Sequence, residues 1–164
     1  MRKLVLILIF GVIMAGCAST ETFETLGPIQ HMGGVVPQMA QVRLALPENA
    51  SQDAFYGGEY SVYECDAYLL IMQTLAAGDF QQTVESLSGF TPEKLMILES
   101  SINGIKRFDW VWTSMGEDGD ILCRASVWDD GNYHYSLTAM TAADNGGSLA
   151  EDWNEVFASF ALDG

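Results

Sequence analysis

Ile105-Lys106-Arg107-Phe108-Asp109-Trp110-Val111-Trp112-Thr113-Ser114-Met115 is the stretch on which the fold turns. Phe108, Trp110 and Trp112 recur at every second residue, the period of a strand, and so share one face. Ile105, Val111 and Met115 take the other face. A strand that is apolar on both sides needs cover on both sides of its sheet, and helices supply that cover most simply.

Reading downstream, Ile121 to Trp128 and Asn132 to Met140 continue as strands. The connections are Glu117-Asp118-Gly119-Asp120 and Asp129-Asp130-Gly131-Asn132. Each carries Asp-Gly, a dipeptide that tolerates the positive φ of tight hairpins, so the region reads as a meander. Ser148 and Glu151 have capping-box spacing, and Leu149, Trp153, Val156, Phe157 and Phe160 form one broad apolar face, which predicts a C-terminal helix packed on the sheet.

Upstream, Lys94 to Glu99 reads as a strand after Pro92. Asp79 begins a helix in which Phe80, Val84 and Leu87 share a face, with Gln82 three residues beyond the cap and Gly89 as the stop. Glu59 to Cys65 and Tyr68 to Leu75 predict a two-strand hairpin, and Val42 to Leu46 a first strand ended by Pro47. The expected class is α+β: an antiparallel sheet of about seven strands with two main helices, on opposite faces or sharing one.

The N-terminus has a different organisation. Arg2 and Lys3 precede an apolar run from Leu4 to Ala15, broken only by Gly11. Twelve such residues span about 18 Å as a helix against roughly 30 Å of bilayer hydrocarbon, too short for a comfortable span and right for a cleavable export signal. Met14-Ala15-Gly16-Cys17 resembles the bacterial lipobox, with Met14 where leucine is commoner. The resemblance implies a diacylglycerol thioether at Cys17 and cleavage before it. It divides the chain into a signal peptide at 1–16, a lipid-anchored tether at 17–40 rich in Ser, Thr, Gly and Pro, and one folded domain at 41–164. His31 falls in the tether as a solvated linker residue. Expected localisation is the extracytoplasmic face of a bacterial envelope: the outer membrane if the host has one, since Ala18 follows the cysteine, and otherwise the plasma membrane.

Seven basic and 22 acidic residues give a net charge of −15, and loss of Arg2 and Lys3 with the leader takes it to −17. Such a surface repels nucleic acid and anionic headgroups, so neither is an expected partner. The membrane is reached through the Cys17 anchor, and an envelope protein is the expected partner. Beyond Cys17 the cysteines are Cys65 and Cys123. An even pair in an exported domain fits one disulfide, which would contribute about 3–4 kcal/mol by closing so long a loop. Two small, buried, reduced thiols fit the same residues.

Val42-Arg43-Leu44-Ala45-Leu46-Pro47-Glu48, Leu87-Ser88-Gly89-Phe90, the Trp110 strand and Val156-Phe157-Ala158-Ser159-Phe160 together resemble the PsbP-like superfamily over residues 40 to 162. That superfamily includes an extrinsic subunit of photosystem II, a Ran-binding import factor and many bacterial lipoproteins. The resemblance implies an α-β-α sandwich and no particular reaction.

Chemistry-bearing motifs are scarce. The chain has no G-x-S-x-G, S-x-x-K or P-loop pattern and no Cys/His ligand spacing, so no cofactor or metal is expected. His134 lies in Tyr133-His134-Tyr135 and faces away from both tyrosines, alongside Asn132 and Ser136. It is a strand histidine at a polar rim, or a proton carrier beside the acidic turn at Asp129 and Asp130. The acidic turns lack the spaced ligands and closing glutamate of a calcium loop and read as solvated hairpins. Trp128, at its strand end, is the tryptophan expected to be exposed, and joins His134, Asp129 and Asp130 as a candidate binding set. Two functions follow: a non-enzymatic accessory or binding lipoprotein, and a small hydrolase or ligand-processing protein using carboxylates with His134.

Overall fold

A computed structural model describes residues 37–52 and 60–163; the leader, Cys17, His31 and the tether up to residue 36 lie outside the described residues. The strands are β1 (Gln41–Arg43), β2 (Ser51–Gln52), β3 (Tyr60–Glu64), β4 (Leu69–Ala76), β5 (Leu98–Ile102), β6 (Ile105–Gly116), β7 (Gly119–Asp129), β8 (Tyr133–Ala142) and β9 (Ala161–Asp163). The helices are α1 (Phe80–Ser88) and α2 (Ala150–Ser159). Seven strands form an antiparallel sheet in the order β2-β3-β4-β8-β7-β6-β5.

One helix lies on each face of the sheet, but β6 is covered along its length only on its Phe108–Trp110–Trp112 face; on the other face Ile105 is packed, while Val111 and Met115 stay exposed, contrary to the sequence expectation. Phe108, Trp110 and Trp112 pack with Cys123, Ala125 and Val127 of β7 under Val84, Phe80 and Leu87 of α1. On the other face Leu70, Tyr135, Leu137, Ala139 and Trp128 meet Trp153, Val156 and Phe157 of α2, together with Phe160. Strand alternation separates the two cores: on β8 Tyr135, Leu137 and Ala139 go to the α2 side while Met140 packs on the α1 side. The α-β-α sandwich expected from the sequence is present.

Helix α1 forms where its sequence places it. The Asp79 carboxylate accepts from the Gln81 amide at 3.0 Å. Gly89 closes the helix at φ 76°, the left-handed conformation that favours glycine. Its Phe80–Val84–Leu87 stripe covers the tryptophans of β6.

Four sequence expectations are corrected. The alternation at Val42 and Leu44 does pack both, partly buried, on the α2 side, but β1 pairs with the C-terminal β9, outside the main sheet. Strand β5 starts at Leu98, not Lys94, because Pro92–Lys94 winds into a short 3-10 turn. No capping box forms at α2: the chain is already wound through Asn145–Leu149, and the Ser148 hydroxyl turns back to donate to the Asn145 carbonyl at 2.8 Å. Cys65 and Cys123 are both free thiols, with no disulfide. They lie in the cores on opposite faces of the sheet, which excludes direct bonding. Burial pushes the Cys65 thiol up and holds the Cys123 thiol at about 11.

Candidate functional site

The sequence-predicted candidates converge on the β7–β8 hairpin. Its turn is held by its own aspartates: Asp129 Oδ1 accepts from the Gly131 amide at 2.8 Å, and Asp130 Oδ1 from the amides of Asn132 at 2.8 Å and Tyr133 at 2.7 Å. These are side-chain-to-backbone turns of the kind aspartate favours, and Gly131 at φ 87° completes the reversal. Asp130 reaches further. The Tyr135 hydroxyl donates to its Oδ2 at 3.0 Å and accepts from the Ala40 amide at 2.7 Å. The turn therefore fastens the segment leading into β1. Burial and the Asp130 contact push the Tyr135 phenol above its ordinary value, while the Ala40 amide pulls it down.

His134 faces away from both tyrosines, as strand alternation requires. It is not at a solvated rim. The side chain is buried, 1% exposed, against the Phe80 ring at 6.1 Å. Its Nδ1 is 2.7 Å from the Thr83 hydroxyl on α1, itself buried. Its Nε2 is 3.8 Å from Asp129 Oδ1, beyond hydrogen-bond distance, and that carboxylate is already engaged with Gly131. The pair ties helix α1 to the sheet. Thr83 was not singled out from the sequence, though a signal was present: it lies between Phe80 and Leu87 on the apolar stripe of α1, where a hydroxyl must find a buried partner.

Trp128 is buried, 4% exposed, contrary to expectation. Its indole Nε1 donates to the Phe160 carbonyl at 3.0 Å, and the Arg107 guanidinium lies 5.4 Å from its ring centre. Arg107 also makes a two-pronged ion pair with Asp109 at 2.8 and 2.9 Å and donates to the Phe157 carbonyl at 3.0 Å. The Arg107 charge thus sits at the C-terminal end of α2, where the free carbonyls favour a cation. Trp128 and Arg107 are parts of the α2 docking surface.

The chemistry-bearing groups are thus committed to holding the fold. A groove of about 280 Å³ lies elsewhere, lined by Phe90, Lys94, Leu95, Met96, Val111, Trp112 and Thr113. No cluster of three or more metal-ligating side chains occurs among the described residues.

No family model matches the sequence, and no curated protein matches it either. Solved structures do. The cyanobacterial PsbP of Synechocystis sp. PCC 6803 superposes with a TM-score of 0.53 at 14% identity, covering 84% of this chain and 100% of that one. The fold is PsbP-like. The Ran-binding protein Mog1p of Saccharomyces cerevisiae aligns at a TM-score of 0.51 and 13% identity, over 74% of this chain and 89% of its own. LpqN of Mycobacterium tuberculosis, described as involved in cell envelope biogenesis, aligns at 0.51 and 10% identity, over 78% and 86%. At these identities the likeness is one of backbone path: the PsbP-like fold is shared, and activity does not come with it.

Proposed function

We propose that this chain is a lipid-anchored accessory protein of a bacterial cell envelope, working by binding through its folded domain and not by catalysis. The observation that carries the proposal is the ordered leader, charge then apolar run then Met14-Ala15-Gly16-Cys17, in front of a PsbP-like domain. Two acyl chains hold a protein to a membrane durably, at about 0.8 kcal/mol per buried CH₂. Among the described residues no helix is long and apolar enough to cross a membrane. The likeness to LpqN supports an envelope setting.

The condition of His134 supports binding over catalysis. A general acid or base must reach the proton it transfers. His134 is enclosed between Phe80 and Thr83, and Asp129 and Asp130 are occupied with backbone amides. The hydrolase alternative thereby loses its specific residue.

Metabolic labelling with radiolabelled palmitate, expressed in a bacterial host with the native leader, tests the anchor. The parent chain takes up label and sediments with membranes, and Cys17→Ala does neither. Label retained by Cys17→Ala refutes lipidation at that residue. Affinity purification of the lipidated protein from its native membrane tests the accessory role, and failure to recover a reproducible partner counts against it.

A further inference from the structure

We propose that β5 is a self-association edge, pairing antiparallel with β5 of a second copy about a two-fold axis at Ser100. Strand β5 ends the main sheet, and all five of its residues are exposed. Natural edge strands are usually blunted by prolines, bulges or charged side chains. Leu98-Glu99-Ser100-Ser101-Ile102 has no proline, and its one charge, Glu99, is paired with Lys106 at 3.1 Å. Leu98 is 65% exposed and Ile102 53%, on the face where Val111 (53%) and Met115 (84%) are also uncovered.

The hairpin fixes which backbone groups of β5 face outward and so limits the register. Asn103 and Gly104 both have positive φ, 55° and 82°, in a two-residue turn between the paired Ile102 and Ile105. Residues flanking such a turn form the hydrogen-bonded pair, so Ile102, Ser100 and Leu98 direct their backbone groups to β6, and Glu99 and Ser101 direct theirs to the open edge. A two-fold axis at Ser100 sets Glu99 of each copy opposite Ser101 of the other, outward groups against outward groups. The same axis sets Leu98 against Ile102 twice. Shifting the axis by half a residue opposes inward to outward groups, and centring it on Glu99 opposes like charges.

Local charge leaves this edge open to a second copy. A chain of net −15 repels itself over most of its surface. Residues 90–115 are the exception: Glu93, Glu99 and Asp109 are balanced by Lys94, Lys106 and Arg107. In the paired register Lys106 falls in the same cross-strand row as the second copy's Glu99. The two are about 10 Å apart at the backbone, within reach of their side chains. One strand pair is small for a specific interface, so the association is weak and favoured by confinement to a plane. The edge argument stands without the lipid anchor proposed above.

The test is cross-linking of the full-length chain in non-ionic detergent. Ser100→Cys places two thiols on the axis, across a close pair about 4.5 Å apart at Cα, and mild oxidation should join them. Ser101→Cys sets its pair about 8 Å apart, beyond disulfide reach, so about tenfold less dimer is expected from it and from the parent chain. In sedimentation velocity the parent chain shows a reversible, concentration-dependent dimer. Ser100→Asp abolishes it, with circular dichroism checking that the variant folds. Equal cross-linking of the two cysteine variants, or a parent chain monomeric at every concentration, overturns the proposal. So does Ser100→Cys cross-linking in cells to a different polypeptide and not to itself, which assigns the edge to another partner.

Discussion

Thr83→Val is the most direct probe of whether His134 is structural. The substitution preserves the branched shape and removes only the hydroxyl, which lies 2.7 Å from His134 Nδ1. Both residues are buried, the histidine 1% exposed and the threonine 6%, so water does not replace the lost partner without opening the α1–sheet contact. Leaving a buried polar atom unpaired costs about 1–3 kcal/mol. For a domain of this size that lowers the thermal midpoint by roughly 2–8 °C per kcal/mol. Asp129→Asn makes the contrast. Its oxygen is 3.8 Å from Nε2, no hydrogen bond, and an asparagine retains an acceptor for the Gly131 amide. It should change stability by less than about 0.5 kcal/mol. The assay is urea unfolding followed by tryptophan fluorescence, with circular dichroism confirming that both variants fold. A Thr83→Val variant as stable as the parent refutes the structural account of His134, and a larger loss in Asp129→Asn than in Thr83→Val inverts it.

Reductant should leave the urea midpoint unchanged, because neither Cys65 nor Cys123 is in a disulfide; a loss of the about 3–4 kcal/mol expected for a long-loop disulfide would contradict the structure. Stability should fall between pH 9 and pH 11: the unfolded Cys123 thiol ionises near 9.0, while burial keeps the folded one protonated to about 11. Across that window the folded state binds more protons, so the contribution present below pH 9 is lost as pH rises. Cys123→Ala should flatten that decline, measured as the slope of unfolding free energy against pH. Arg107→Lys should destabilise by about 1–3 kcal/mol despite keeping the charge, because an ammonium does not reproduce the two-pronged Asp109 pair together with the Phe157 carbonyl contact. Gly89→Ala should cost about 1 kcal/mol by urea titration through its left-handed φ of 76°.

What was legible in the sequence was what periodicity and local turn chemistry decide. The alternation of Phe108, Trp110 and Trp112 against Ile105 marked a two-sided sheet because adjacent strand residues must face opposite ways. Asp79 and Gly89 marked α1 because cap geometry is local. Three of the failures share a physical cause: each depended on a contact between segments distant in sequence. Val42–Leu46 has strand character, yet nothing local says that Gln41–Arg43 pairs with Ala161–Asp163. Trp128 stands beside an acidic turn and looked solvated, but Phe160, 32 residues on, supplies its acceptor and α2 its cover. Cys65 and Cys123 invited pairing until the sheet placed them on opposite faces. Asn103-Gly104 is by contrast a local signal: a two-residue turn there places β5 where it is observed.

The distribution of committed and uncommitted groups decides where function is sought. At the β7–β8 hairpin every candidate side chain has a structural partner: Asp130 with two amides and Tyr135, Asp129 with Gly131, His134 with Thr83, Trp128 with Phe160. A group so engaged is unavailable to a ligand unless the ligand offers more than the contact it displaces, and these contacts also fasten Ala40 and both helices. At β5 and the adjoining part of β6 the balance is reversed. Leu98, Ile102, Val111 and Met115 are large, apolar and exposed, and among the described residues the outward backbone groups of β5 face no strand. Scattered exposed apolar residues are ordinary; four on one face beside a sheet edge that is open among the described residues are a concentration that burial against another surface would relieve. The acidic shell keeps other surfaces apart while the balanced charge of residues 90–115 leaves this one approachable. Binding at the edge, with the hairpin as its rigid support, is the division of labour these residues permit.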